Sequence, residues 1–355
     1  MLPRHFAETL TDWHHGNPRQ MPWLHSKDPY IIWISEIILQ QTRVSQGWEY
    51  FQKFVLRFPN LISIYTSDET EILTYWEGLG YYTRIRNIIK TTKILVETRN
   101  GIFPDSYEEL LRLPGIGPYT ASAIAGFAYN LPYPVMDGNV IRLMTRIFGI
   151  TTISSDITNT KYIHNFLQQS ISFGRPSLFN QAIMNFGALV CKPSSPLCPQ
   201  CPFQNFCLAF QQNQVDSIPV KKVKAKKTNR YFHYFIIKDT KAHKTILQQR
   251  KKSDIWHLLF QFPLIETNEN MLLSFDNIME GLTKQKCELS HVSFLDTEIF
   301  HQTLTHQNIH FTLYKIQGII KKIPPNDVYI LVNISDLSKY AMPVLLKKRS
   351  KWLES

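Results

Sequence analysis

No apolar run in this chain approaches the roughly 20 residues that a membrane-crossing helix requires, so a membrane-spanning protein is not expected. The first residues, MLPRHFAETLTDWHHG, carry acids and lack the apolar core of an export signal. Acids are outnumbered: 28 Asp and Glu stand against 39 Lys and Arg, leaving a net charge of +11 over 355 residues. Such an excess suits a polyanion, and with membranes set aside the expected partner is nucleic acid. The expected compartment is the cytoplasm, alongside the nucleoid. Cysteine is scarce, five residues in all, and four of them crowd into 17 positions. In an intracellular chain that clustering argues for metal ligation and against disulfides. Internal repeats are absent, and strand-like alternation is scarce before about residue 213. What remains is 44% hydrophobic and long enough for two ordinary domains.

Helical spacing of apolar residues marks 30–40, 45–57, 68–77, 84–99, 106–112, 119–129 and 138–148. A basic run, VKKVKAKKTNR at 220–230, follows with six cations and no acid, and reads as a solvated linker that can touch phosphates. Beyond it the composition turns aromatic and β-branched. Residues 231–237, 245–250, 260–265 and 310–316 favour strands, so 230–350 is expected to be a small α+β domain. The segment DLSKYAMPVLLKKRSKW reads as a terminal helix broken or started near Pro343.

Within PYIIWISEIILQQT, Glu36 is a single carboxylate on a helix apolar on most sides. Either it lies on a narrow wet face, or desolvation keeps it protonated and able to donate a proton. In LRLPGIGPYTASAIAGFA, Ser106 with Glu109 predicts a capping box, Pro114 a stop, Gly115 and Gly117 a tight turn, and Pro118 the next helix start. The product is a helical hairpin, which serves either as a phosphate-binding edge of free N–H groups or as an ordinary turn. Asp137 in MDGNV is a natural N-cap, and a capping carboxylate tends to stay ionised. Glu36 in an apolar setting and Asp137 at a cap would divide acid and counter-ion roles between them. The spacing Cys191-x6-Cys198-x2-Cys201-x5-Cys207, interleaved with prolines, is a strong metal signal. Its gaps are unusual for zinc and compatible with an iron–sulfur cluster.

These motifs, with WEGLGYYTRIRN and FNQAIMNFGALVC, make residues 1–213 resemble the adenine DNA glycosylases (MutY type) of the helix-hairpin-helix superfamily. The resemblance implies a mainly α part at 1–215, a helix-hairpin-helix six-helix barrel with a helical iron–sulfur domain whose cluster loop is 191–207. A basic linker at 216–229 and a Nudix-like recognition domain at 230–355 follow. It implies a monomer that removes adenine paired with 8-oxoguanine or guanine in double-stranded DNA, and one [4Fe–4S] cluster on Cys191, Cys198, Cys201 and Cys207. Glu36 is then the acid that protonates adenine at N7. Asp137 steadies the cationic sugar, with Tyr119 and Asn139 beside it. Gln41 and Tyr82 wedge into the duplex, Gly115 and Gly117 meet phosphate, and Trp23 and Asn185 line the adenine pocket.

Several positions depart from the family pattern. Tyr119 stands where the lyase-active endonuclease III type carries a lysine, so base removal without strand cutting is expected. Asn185 replaces the usual acid, and Leu24 a position that is frequently polar. WHLLFQFP matches a Trp-Gly-Gly-Leu pattern only loosely, with His257 and Leu258 in place of glycines. Leu304-Thr305-His306 takes the place of a Phe-Ser-His loop that reads the damaged base. No Nudix box of spaced glutamates is present, so nucleotide hydrolysis is not expected. The rivals are a pyrimidine glycosylase of the endonuclease III type and a non-catalytic damage sensor. Glu36 and Tyr119 speak against the first, and Glu36 with Asp137 against the second.

Overall fold

The computed structural model describes residues 1–17, 26–40, 44–220, 226–251, 254–326 and 328–354. Trp23, Leu24 and Gln41 lie outside the described residues. The chain forms two compact units, Met1–Thr66 with Arg86–Val223, and Ser67–Ile85 with Lys224–Ser355. The later division lies inside the basic run 220–230. The placement of Ser67–Ile85 with the C-terminal residues is a departure from the contiguous domains that the sequence suggested.

The first unit is helical: α1 (Pro3–Gly16), α2 (Pro29–Leu39), α3 (Val44–Arg57), α4 (Leu61–Tyr65), then, beyond α5 (Glu69–Tyr75) of the other unit, α6 (Thr83–Arg99), α7 (Tyr107–Leu111), α8 (Pro118–Ala128), α9 (Gly138–Ile147), α10 (Ile157–Ile171), α11 (Pro176–Leu189) and α12 (Leu208–Gln211). Four of these begin on proline, whose missing N–H costs nothing in a first turn. Asp28 caps α2 by accepting from the Tyr30 amide at 2.8 Å. Ser106 caps α7, but the reciprocal half of the expected box is not made; Arg99 takes Glu109 at 2.5 Å. Small residues let α8 pack closely: a Cβ on Gly126 would come within 2.5 Å of Asn180 Nδ2. The faces of α2 and α8 meet, bringing Glu36 towards Tyr119. A second core gathers α1, α8, α9, α10 and α11 around Phe6, Phe179, Phe186 and Phe203.

The C-terminal part of the second unit holds β1 (Thr228–Asp239), β2 (Lys244–Gln249), β3 (Phe260–Gln261), β4 (Leu264–Thr267), α13 (Phe275–Lys284), β5 (Glu288–Thr303), β6 (Gln307–Lys322), β7 (Tyr329–Asn333) and α14 (Val344–Arg349). One sheet has the order β4-β1-β6-β5 and the other β3-β2-β7. β1 and β6 run parallel; the other pairs are antiparallel. Strand β1 is buried on both faces. Phe232, Tyr234 and Ile236 enter a core with Leu337 and Leu346, while Phe235 and Ile237 enter another with Ile278 and Leu282 of α13. Its near-continuous apolar run follows from that.

The expected strand at 260–265 is two strands, β3 and β4, divided at Phe262-Pro263, because proline has no N–H for a ladder. Neither β5 nor β7 was anticipated. β5 is an edge strand with an irregular register near Leu289, Ser290–Ser293 and Asp296, which blurs the period of two. The expected terminal helix is only α14, starting directly after Pro343; a 3₁₀ segment, Ile334–Lys339, precedes it. No helix among the described residues is long and apolar enough to cross a membrane.

Candidate active site

Glu36 is 3% exposed, on the turn of α2 that faces α8. The Tyr119 hydroxyl donates to its Oε2 at 2.6 Å. Its other oxygen, Oε1, is buried without a hydrogen-bond partner among the described residues. Burial pushes its pKa from 4.5 up to about 7; the Tyr119 bond pulls it down and nearby Asp137 raises it further. The wet-face reading of Glu36 is thereby excluded: the carboxyl is desolvated, which favours its protonated form.

Asp137 caps α9. Its Oδ1 accepts from the Val140 amide at 2.7 Å, and its Oδ2 from Asn139 Nδ2 at 2.7 Å. Both oxygens are thus held by donors. Asn139 is held in turn: its Oδ1 accepts from Arg142 Nη2 at 2.9 Å. The same guanidinium donates to the carbonyls of Gly187 and Cys191, each at 2.7 Å. Gly187 is obligatory beneath it, since a Cβ there would stand 2.9 Å from the Asn139 carbonyl oxygen. One turn on, the buried Arg146 donates to Cys191 Sγ at 3.4 Å, Lys192 O at 2.7 Å and Ile218 O at 2.9 Å. The reading of the sequence missed both arginines. Their signal was two charges four residues apart on the apolar run GNVIRLMTRI, which demand partners if buried.

Cys191, Cys198, Cys201 and Cys207 line one small cavity of about 20 Å³, walled by Leu143, Val190 and Phe203 and reached by Arg146. All four are free thiols. Among the described residues no three His, Cys, Asp or Glu side chains converge on a point that would hold a single metal ion.

At the hairpin, Gly115 has φ +78°, and a Cβ there would lie 2.6 Å from Asn87 Cβ. Gly117 caps α8 with extended backbone, and a Cβ there would meet nothing within 4 Å. Asn185 is buried on α11, and no hydrogen bond ties it to the Glu36–Tyr119 or Asp137–Asn139 pairs.

In the second unit the expected wedge, Tyr82, is buried, at 8% exposure, with its hydroxyl 3.4 Å from the Gly78 amide. Its neighbour Tyr81 is 49% exposed. The difference in exposure has a backbone cause: Gly78, Gly80 and Tyr81 all have positive φ, so the loop turns one tyrosine inward and the other out. The Tyr81 hydroxyl lies 3.3 Å from Thr305 Oγ1. Thr305 and His306 are exposed at the β5–β6 turn, closed by the Leu304 amide on Gln307 O at 2.7 Å. Leu258, at one of the expected glycine positions, has φ +69°.

Residues 34–169 match the family described as HhH-GPD superfamily base excision DNA repair protein, and residues 233–351 match the NUDIX domain. The chain is 36% identical over 353 residues to an adenine DNA glycosylase of Buchnera aphidicola subsp. Baizongia pistaciae, covering 97% of this chain and 95% of that protein. It is 37% identical over 218 residues to the adenine DNA glycosylase of Mus musculus, covering 59% of this chain and 42% of that one. A thermostable thymine-DNA glycosylase aligns with TM-score 0.55 and 25% identity over 59% of this chain and 97% of its own. An endonuclease III–DNA complex aligns with TM-score 0.52 and 21% identity over 60% and 98%, a likeness of fold.

Proposed function

The chain belongs to the adenine DNA glycosylases, enzymes of base-excision repair that hydrolyse an N-glycosidic bond, and we propose that Glu36 is its general acid and Asp137 the counter-ion of its transition state. The observation that carries this reading is the asymmetry of the Glu36 carboxyl. Tyr119 occupies Oε2, and Oε1 is buried and unpartnered, the position for a proton awaiting a base.

Adenine leaves poorly as an anion. An extrahelical adenine set against Oε1 receives that proton at N7, which lets the C1′–N9 bond break with its electron pair going to N9. The sugar acquires cationic character at C1′, which the Asp137 carboxylate stabilises. Water then adds at C1′ and loses a proton, leaving an abasic site and neutral adenine. Tyr119 offers a phenol and no amine, so no Schiff base forms there and the strand stays uncut. The opposing base is proposed to be 8-oxoguanine or guanine. Tyr81, the exposed ring, wedges into the duplex, and Thr305 and His306 meet the opposing base.

The four thiols and Arg146 suit a [4Fe–4S] cluster, whose negative charge the guanidinium offsets. When bound, the cluster cross-links loop 191–207. Arg142 and Arg146 then hold the carbonyls of that loop against α9, and Arg142 also orients Asn139 on Asp137.

The test is a single-turnover assay on a duplex carrying adenine opposite 8-oxoguanine, with products resolved before and after hot alkali. Cleavage that depends on alkali and disappears in Glu36→Gln supports the reading. Intact adenine in the presence of bound protein would overturn it.

A further inference from the structure

A pocket of about 440 Å³ is lined in part by Tyr119. That is within the range of small-ligand sites. Its walls are apolar and aromatic: Pro118 of the hairpin, Met136 next to Asp137, and Tyr107, which stacks on Tyr133 at 4.2 Å and 7°. Its rim comes from α10, where Lys161 and His164 stand one turn apart. None of the lining side chains is acidic. Neither Lys161 nor His164 makes a hydrogen bond or ion pair among the described residues. The opposite face of α10, with Ile163, Leu167 and Ile171, is locked into the core, and Gln168 Nε2 donates to Pro132 O at 2.7 Å. The pocket-facing side is therefore held in place although its cation is unused.

A lone exposed lysine is ordinarily a solvated charge. This one differs by its position. The pocket shares Tyr119 with the acid site and Pro118 with the hairpin edge, so a strand whose nucleotide sits at Glu36 would pass its flanking backbone along the two sides of this cavity. Pro118 of the hairpin stands on one side, and α10 offers an ammonium and an imidazole on the other. We propose that Lys161 and His164 hold a backbone phosphate of the strand carrying the target base, across the pocket from the hairpin. The proposal rests on the glycosylase reading above. The grip is blind to sequence and to the opposing base, because phosphate is the same everywhere.

The test uses the full-length, cluster-loaded protein with Glu36→Gln, which prevents turnover during binding. Dissociation constants are measured across salt concentrations for a duplex with adenine opposite 8-oxoguanine and for a fully paired duplex. Adding Lys161→Ala and His164→Ala is expected to weaken both duplexes alike and to make the slope of log K against log[salt] shallower by about 1, the value for one phosphate contact. Lys161→Arg should keep the slope. With Glu36 restored, the single-turnover rate at saturating enzyme should stay within about twofold of the parent. An unchanged slope, or weakening confined to the mismatched duplex, would overturn the proposal. Should the double variant fold poorly by circular dichroism, Lys161→Ala alone carries the same expectation, because its side chain is exposed. A parent that binds neither duplex sinks the glycosylase reading instead, so the two failures are distinguishable.

Discussion

The Tyr119 hydroxyl donates to Glu36 Oε2 at 2.6 Å and leaves Oε1 bare, so one residue decides which oxygen of the acid carries the proton. A pH dependence follows. On the proposed mechanism the active form is protonated Glu36, whose pKa is raised to about 7. The single-turnover rate should be level just below that point and fall about tenfold per pH unit above it. The Tyr119 bond lowers this pKa. Tyr119→Phe should therefore move the midpoint upward. A midpoint that moves down in this variant contradicts the assignment.

The same group costs stability. Its folded pKa lies above its unfolded value, so its contribution is fully present below the unfolded pKa, near 4.5, and is lost as pH rises towards 7. A shift of that size corresponds to roughly 3 kcal/mol. Glu36→Gln should melt higher than the parent at pH 8 and nearly level with it at pH 4. Calorimetry at the two pH values checks this, and an equal effect at both would refute it.

Arg142 has three acceptors, on Asn139, Gly187 and Cys191. A lysine has one ammonium and cannot reproduce the fork. Arg142→Lys should slow base removal about tenfold or more, as loss of one charge-assisted hydrogen bond implies. Its iron content and visible absorbance should stay near those of the parent. Retained rate with lost cluster would mean that Arg142 serves the loop alone.

The two neighbouring tyrosines should separate cleanly. Tyr82→Ala empties a buried site and should cost about 3 kcal/mol of stability. Tyr81→Ala removes an exposed ring and should change stability by about 0.5 kcal/mol or less. Only the second should weaken binding to mismatched DNA in a protein of normal melting temperature.

Leu258 holds a backbone conformation that costs a branched residue about 1–2 kcal/mol. Leu258→Gly relieves that strain and frees the unfolded chain, effects of opposite sign. A net gain of about 0.5–1 kcal/mol is expected from denaturant titration, and a loss would show that the leucine side chain contributes more than its backbone costs.

Much of the candidate site could be read directly, because its signals are local. A carboxylate among isoleucines, an Asp before Gly-Asn, a Gly-x-Gly turn and four close cysteines each declare themselves within a few residues. The hydrogen bond from Tyr119 to Glu36 spans 83 positions and follows only from the packing of α2 on α8. The partners of Arg142 and Arg146 gave no local sign, because their acceptors at Cys191 and Lys192 lie 49 and 46 positions away. Tyr81 and Tyr82 differ by one position, and their exposure is set by glycine dihedrals that composition does not reveal. The same limit applies to β5, whose bulges erase its alternation.

Ser67–Ile85 belongs to the C-terminal unit, and Glu77 meets Lys347 at 2.5 Å across 270 positions. On a ribosome adding about 5–20 residues per second, α5 and the Tyr81 loop emerge roughly 15–50 s before the helix that pairs with Glu77 exists. During that interval the helical first unit carries an unfinished insert. No single cut can divide the gene product into two self-contained halves. A chain stopped at the basic linker would keep Tyr81 but lose Thr305 and Lys347, the two partners that hold its loop.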